Sequence, residues 1–144
     1  MIISIMEAIS IALNAEFGEE YEIFIEEINQ DLSGNNFFIQ CLNPANDLFL
    51  GKRYFNSNQF CIQYFPLSQD GRNRECYEVL ERMNQCLEYI TMGDGLMRGT
   101  QMNGKIVDGV LNFFVNYDCF VYKWEAETAG ISEMTSSITV KEGD

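Results

Sequence analysis

Residues 105–124 have the sequence KIVDGVLNFFVNYDCFVYKW. Apolar side chains alternate with other residues over nearly the whole stretch, and this period of two is typical of a strand that buries one face. The members of the apolar face are Leu111, Phe113, Val115, Tyr117, Cys119 and Val121. The stretch therefore predicts one long amphipathic strand, which must pair with others to form a sheet.

The opposite face of this predicted strand is only partly polar. Asn112, Asn116 and Asp118 lie on it, but four aromatic residues share it: Phe114, Phe120, Tyr122 and Trp124. Aromatic residues are enriched where subunits meet, so these four are the candidate subunit interface. The alternative is that a helix of the same chain covers them.

Other strands are predicted on both sides of this stretch. Asn103-Gly104 precedes it and favours a tight hairpin turn with LMRGTQM as the partner strand. Upstream, the sequence predicts three strands, around residues 21–26, at NNFFIQCL (35–42) and at QFCIQYFP (59–66).

Two helices are predicted from apolar residues spaced three and four apart. The first stripe consists of Ile2, Ile5, Met6, Ile9, Leu13 and Phe17, and Gly18 can end the helix. The second consists of Cys76, Val79, Leu80, Met83, Leu87 and Ile90, with Asn73 as the cap at its start and Gly93 at its end.

This order of elements, α-β-β-β-α-β-β, predicts an α+β fold with a single antiparallel-rich sheet and two helices packed on one face. At 144 residues, the chain predicts one domain over residues 1–124. Residues 125–144 form a polar C-terminal extension, either mobile or holding one short strand at SSITV.

Charge and composition exclude several classes of function. The formal net charge is −13, and no Lys or Arg precedes Lys52, so attraction to nucleic acid or to an anionic membrane is not expected. MIISIMEAIS lacks the basic residues of a secretory signal, and no apolar run is long enough to span a bilayer. We therefore expect a protein that is made in the cytoplasm.

Catalytic and metal-binding motifs are weak. The chain has no His and five Cys residues without a CxxC pair, which favours buried thiols over a disulfide framework or zinc site. Gly99–Lys105 resembles a phosphate-binding loop, but Ile106 replaces the required Ser or Thr and a strand is predicted to follow.

Two sets of acids give no better prediction of a site. The acidic residues between Glu16 and Asp31 run from a helix end onto a strand, so a solvated surface is favoured over a cation site. Nothing in the sequence places Asp108 beside Asp118, as a pair of catalytic carboxylates would require. We predict no catalytic, cofactor-binding or metal-binding residues, no enzyme activity and no cofactor.

Several blocks resemble the tail terminator family of contractile-tailed phages and related phage-derived particles. They are Arg53–Phe55, Gln59–Pro66, Glu75–Ile90, Arg98–Thr100 and the strand that follows Lys105. The resemblance implies a structural subunit of a ring, usually a hexamer. Such a ring binds the end of the tail tube, stops its elongation and presents a surface to the neck and head.

The resemblance also implies partners and a location. The ring would contact the tail tube protein and also sheath or neck proteins, while DNA passes through without being bound specifically. The protein would be assembled in the host cytoplasm and would end in the virion tail. The alternatives are a small acidic DNA mimic or other protein-binding module, and a different ring-forming neck protein.

Overall fold

The computed structural model describes residues 1–26, 35–68, 70–93, 95–124 and 139–142. The elements in chain order are α1 (Ile2–Phe17), β1 (Glu22–Ile25), β2 (Asn36–Cys41), β3 (Ala45–Leu50), β4 (Arg53–Ser57), β5 (Gln59–Phe65), α2 (Arg72–Cys86), β6 (Tyr89–Met92), β7 (Gly95–Val107), β8 (Val110–Tyr117), β9 (Cys119–Trp124) and β10 (Thr139–Glu142).

The strands form two sheets. The first has six strands in the order β1-β2-β5-β8-β7-β6, and the second has four in the order β10-β9-β4-β3. All pairs are antiparallel except β1 with β2. The predicted α+β class is confirmed, but the single sheet and the shorter strand order are corrected, because several strands continue into a second sheet.

Both helices pack on one face of the six-stranded sheet, as predicted. Their apolar stripes meet the alternate residues of the central strands, which are buried: Phe37, Ile39, Phe60, Ile62, Tyr64, Leu111, Phe113, Val115 and Tyr117. Burying each such side chain contributes about 1.5–3 kcal/mol, so this layer is the main source of stability. No described helix is long and apolar enough to cross a membrane.

The long strand predicted at residues 105–124 is divided at Asp118, and its first three residues belong to β7, before the turn. β8 belongs to the first sheet and β9 to the second, while β5 and β4 divide in the same way at Asn58. The pairing continues through this point without a register shift. Gln59 is opposite Asn116 in the first sheet, and Asn56, three residues before Gln59, is opposite Cys119, three residues after Asn116. A single antiparallel ribbon thus passes from the core into the second sheet.

The point where the ribbon leaves the core is fixed by Asn58, which is buried. Its backbone N–H donates to Asp118 Oδ1 at 3.1 Å, and its side-chain amide donates to the Tyr117 carbonyl at 3.2 Å. The same amide donates to Asn56 Oδ1 at 2.6 Å. We call Asn58, Tyr117 and Asp118 the corner.

The predicted turn at Asn103-Gly104 is wrong. Both residues lie within β7, and the chain turns at Asp108 and Gly109, whose φ angles are 52° and 78°. Two successive positive φ angles are typical of the two-residue type I′ turn that connects the strands of a β-hairpin. Asp-Gly favours this turn as Asn-Gly does.

The second helix also differs from its predicted bounds. It follows Gly71 rather than a cap at Asn73, and it ends at Cys86 rather than near Gly93. Beyond it, the Leu87 carbonyl accepts a hydrogen bond from the Tyr117 hydroxyl at 2.6 Å, and the Glu88 carbonyl accepts one from the Gly99 N–H. These bonds hold the chain against the sheet. Ile90 is therefore buried, but as a residue of β6 and not as a residue of the helix.

β10 lies in the predicted C-terminal extension and pairs with β9. Residues 125–138 lie outside the described part of the chain. The domain boundary at residue 124 stays a prediction.

Candidate subunit interface

The second sheet carries an exposed apolar edge. All six residues of β3 are exposed, and Leu48, Phe49 and Leu50 are exposed by 62%, 57% and 71%. Proteins usually protect edge strands with charges, prolines or a covering element, because unpaired backbone groups promote association. Three successive exposed apolar residues make this edge a candidate interaction surface.

One face of this sheet holds a cluster of aromatic rings around Arg53. The guanidinium carbon lies 4.0 Å from the ring centroid of Phe120, 5.5 Å from that of Phe49 and 5.9 Å from that of Tyr122. Phe120 also makes edge contacts with Phe49 at 5.0 Å and with Phe55 at 5.2 Å. These five residues are called the Arg53 cluster.

The guanidinium of Arg53 is held by rings rather than by carboxylates. Its Nε atom is buried without a hydrogen-bond partner, and the ion pairs of the described residues are Arg82 with Glu16 and Arg98 with Glu88. Contacts of a cation with aromatic faces are worth about 0.5–2 kcal/mol each. Arg53 therefore brings a positive charge to an apolar surface of an otherwise acidic protein.

A shallow groove of about 400 Å³ lies beside the cluster. It is lined by Asp47, Leu48, Phe49, Phe55 and Phe120. The groove and the edge of β3 form one continuous surface, since Asp47, Leu48 and Phe49 belong to both.

The four predicted interface residues do not form one patch. Phe120 and Tyr122 lie in the Arg53 cluster, whereas Phe114 belongs to β8 in the first sheet. There it lines a separate groove of about 470 Å³ with Gln63 and Lys105 among its neighbours. Trp124 ends β9, and its side chain is outside the described part of the structure.

Sequence reasoning missed most of this surface. Leu48, Phe49, Leu50, Arg53 and Phe55 all come from LFLGKRYF, a stretch that gave no predicted strand. The available signal was a run of apolar residues on both sides of Gly51-Lys52, a composition typical of a hairpin turn between two strands.

The other sequence motifs do not assemble into a reactive site. The residues of the phosphate-loop-like motif lie on β7, and Asp108 and Asp118 are at opposite ends of β8. Glu16 is paired with Arg82 at 2.9 Å, whereas Glu27 and Asp31 are outside the described residues. No group of three potential metal ligands occurs in the described ranges.

Four of the five thiols are poor nucleophiles. Burial raises the pKa of Cys41, Cys61 and Cys76, and raises that of Cys86 to about 12. Since the thiolate is the reactive form, these groups remain unreactive thiols at neutral pH.

Comparison with known proteins identifies the class. A family model described as phage tail terminator protein matches residues 4–129. The chain belongs to this family, which confirms the resemblance seen in its sequence, and it is a structural protein of phage tails.

The other comparisons add little. No curated protein matches the chain. A solved structure without a functional name matches with a TM-score of 0.40 and 10% identity, covering 84% of this chain and 97% of the other.

Proposed function

We propose that the chain assembles into a ring, with six copies as the expected number, at the end of a contractile tail. The ring binds the last ring of the tail tube and stops its elongation. Its other side presents a surface to the neck and head, and its rim is available to sheath proteins. Membership of the tail terminator family supports this role.

The exposure of the β3 edge is the main observation that supports assembly. Leu48, Phe49 and Leu50 lie on a sheet that stands apart from the main core, so their exposure is not needed to complete that core. Covering an apolar surface of this kind is the main driving force of stable association. A second protein surface is therefore expected against it.

The proposed role is geometric and includes no catalytic step and no cofactor. DNA passes through the ring without specific binding. Each basic side chain facing the duplex would add a phosphate contact and slow its passage. The net charge of −13 supports a lumen that is neutral to acidic.

Native mass spectrometry and negative-stain microscopy of the purified chain test ring formation. We expect a closed ring, and we expect added chain to shorten tubes grown from the matching tube protein. Leu50→Ser should weaken both effects, whereas Leu96→Ser is a matched control because Leu96 is similarly exposed, by 69%, in the other sheet.

A chain that stays monomeric, with or without the tube protein, would contradict the proposed function. If that monomer instead inhibited a nucleic-acid enzyme, the acidic DNA mimic would be favoured.

A further inference from the structure

We propose that neighbouring copies join edge to edge, with β3 of one copy paired to β10 of the next. This inference rests on the proposed ring and names the contact that closes it. The occupant of the β3 edge is therefore a second copy of this chain.

The second sheet has two edges suited to such pairing. In its order β10-β9-β4-β3, no described strand pairs with the outer side of β3 or with that of β10. The backbone groups on those sides can bond to a further strand, as in complexes formed by strand addition. Two different edges on one chain permit a head-to-tail contact, the type that generates closed rings.

Strand direction agrees with this pairing. Every pair within the sheet is antiparallel, so the direction alternates across its four strands, and β3 runs opposite to β10. A copy related by rotation about the ring axis keeps the same strand directions. β3 would therefore meet the next copy's β10 antiparallel, whereas a sheet with an odd number of strands would give a parallel contact.

Charge then selects a register. Asp47 is the charged residue of β3, and β10 contains Lys141. Position 47 is opposite Phe55, position 141 is opposite Tyr122, and Tyr122 is opposite Arg53. Because positions 53 and 55 are two apart on β4, positions 47 and 141 belong to the same face of the sheet.

Placing Asp47 opposite Lys141 of the next copy has two further consequences. In an antiparallel pair it brings position 48 opposite position 140, and the sequence has an aliphatic residue at both positions. It also brings the neutral Asn46 opposite Glu142, which avoids a like-charge pair. Opposite charges across antiparallel strands stabilise the pair, and like charges destabilise it.

Charge reversal tests the contact. Asp47→Lys and Lys141→Asp each create a like-charge pair at every contact. Each should raise the concentration at which half of the chain is assembled by at least about tenfold, measured by sedimentation velocity. An equimolar mixture of the two variants should restore assembly, because every contact in an alternating ring then joins opposite charges.

Lys52→Asp is the matched control, since Lys52 lies in the turn next to β3 and outside the proposed pairing. Far-UV circular dichroism confirms folding. If a reversal disturbs folding, the neutral variants Asp47→Asn and Lys141→Gln repeat the test, each with a smaller loss of assembly.

Unchanged assembly of both single variants, or a mixture that stays dissociated, would overturn the proposal. Rings that persist in the single variants but no longer bind tube ends would also overturn it and would assign the edge to the tube protein. In both cases the wild-type ring still supports the proposed function. A monomeric wild-type chain would instead reject the function itself.

Discussion

Glu75, in the first turn of α2, holds the segment that joins β5 to this helix. Its carboxylate accepts hydrogen bonds from the backbone N–H groups of Leu67 and Ser68, both at 3.1 Å, and from the Tyr64 hydroxyl at 2.5 Å. Burial opposes ionisation of Glu75, but hydrogen bonds from Ser68, Tyr64 and Leu67 outweigh it, so the pKa of Glu75 is below its usual value. One ionised side chain therefore joins the core to the start of a helix.

Glu75→Gln should reduce the free energy of unfolding by about 1–2 kcal/mol at neutral pH, because bonds to a charged acceptor are lost. The pKa of Glu75 is lower in the folded chain than in the unfolded chain. The stabilisation is therefore complete above the usual Glu pKa of about 4.3. It is lost as the pH falls through the lower pKa that Glu75 has in the folded chain. Urea melts at several pH values measure the difference, and Glu78→Gln on the exposed side of α2 is the control. A difference independent of pH would contradict the role of the carboxylate.

Gly104 shows why one sequence prediction failed at this scale. The Asn-Gly pair was assigned to a turn, but a Cβ at Gly104 would lie only 2.7 Å from Leu80 Cδ1 of α2. Here the missing Cβ leaves room for the end of the Leu80 side chain, a tertiary contact that local sequence does not reveal. Asp108-Gly109, three residues downstream of Lys105, carried the same turn signal.

Gly104→Ala should destabilise the fold by less than about 1 kcal/mol, because the end of the Leu80 side chain must move to make room for the new Cβ. Leu80→Ala alone should cost about 1–2 kcal/mol, because Leu80 is only partly buried. In the double variant the cost of Gly104→Ala should vanish, which denaturant melts can measure as a coupling energy. Gly95→Ala is the control on the same strand, since its Cβ would have no neighbour within 4 Å. If the changes in the free energy of unfolding were simply additive, the Cβ at position 104 and the Leu80 side chain would not be in steric conflict.

At the scale of elements, periodicity predicted what is buried better than where elements end. The first helix and the apolar faces of β2, β5 and β8 were predicted correctly because each buries one regular stripe. Ile90 continued the stripe of α2 but belongs to β6, since a buried residue after a helix can fit the same spacing. The division of the long strand at Asp118 could not be predicted, because the alternation of side chains continues through it.

The corner gives an element-scale prediction. Asn58→Ala removes the side-chain bonds to Tyr117 and Asn56, so the second sheet should open more often than the first. Hydrogen exchange should accelerate by about tenfold or more at amides of β4 and β9, for a loss of about 1.4 kcal/mol in local stability. Amides of β5 and β8 next to the helices should change less. Equal acceleration in both sheets would mean that they open as one unit.

At the scale of the whole molecule, class and family were easier to predict from the sequence than contacts between distant segments. The family and the α+β class were predictable, since they rest on ordered blocks along most of the chain. The Arg53 cluster was only partly predictable: Phe120 and Tyr122 stay predicted interface residues, and Phe49 and Arg53 reach them through strand pairing between distant segments.

The purified chain should not bind double-stranded DNA measurably at physiological salt. The physical reason is a net charge of −13, which repels phosphates instead of releasing their counterions. Fluorescence anisotropy with a labelled duplex checks this over a range of salt concentrations. Binding that weakens steeply with salt would reveal a concentrated basic surface and would contradict a lumen through which DNA slides.

The unbroken register through the corner means that the second sheet takes its alignment from the core. β5 and β8 are fixed by buried side chains, and three residues later the same pairing sets β4 against β9. A one-residue deletion in β4 would therefore exchange the faces of Arg53 and Tyr54, whereas deleting one residue from each arm of the ribbon would shorten it with the pairing intact. During evolution, changes in the length of this ribbon should thus occur in matched pairs, so that subunits of different reach can be built on the same core.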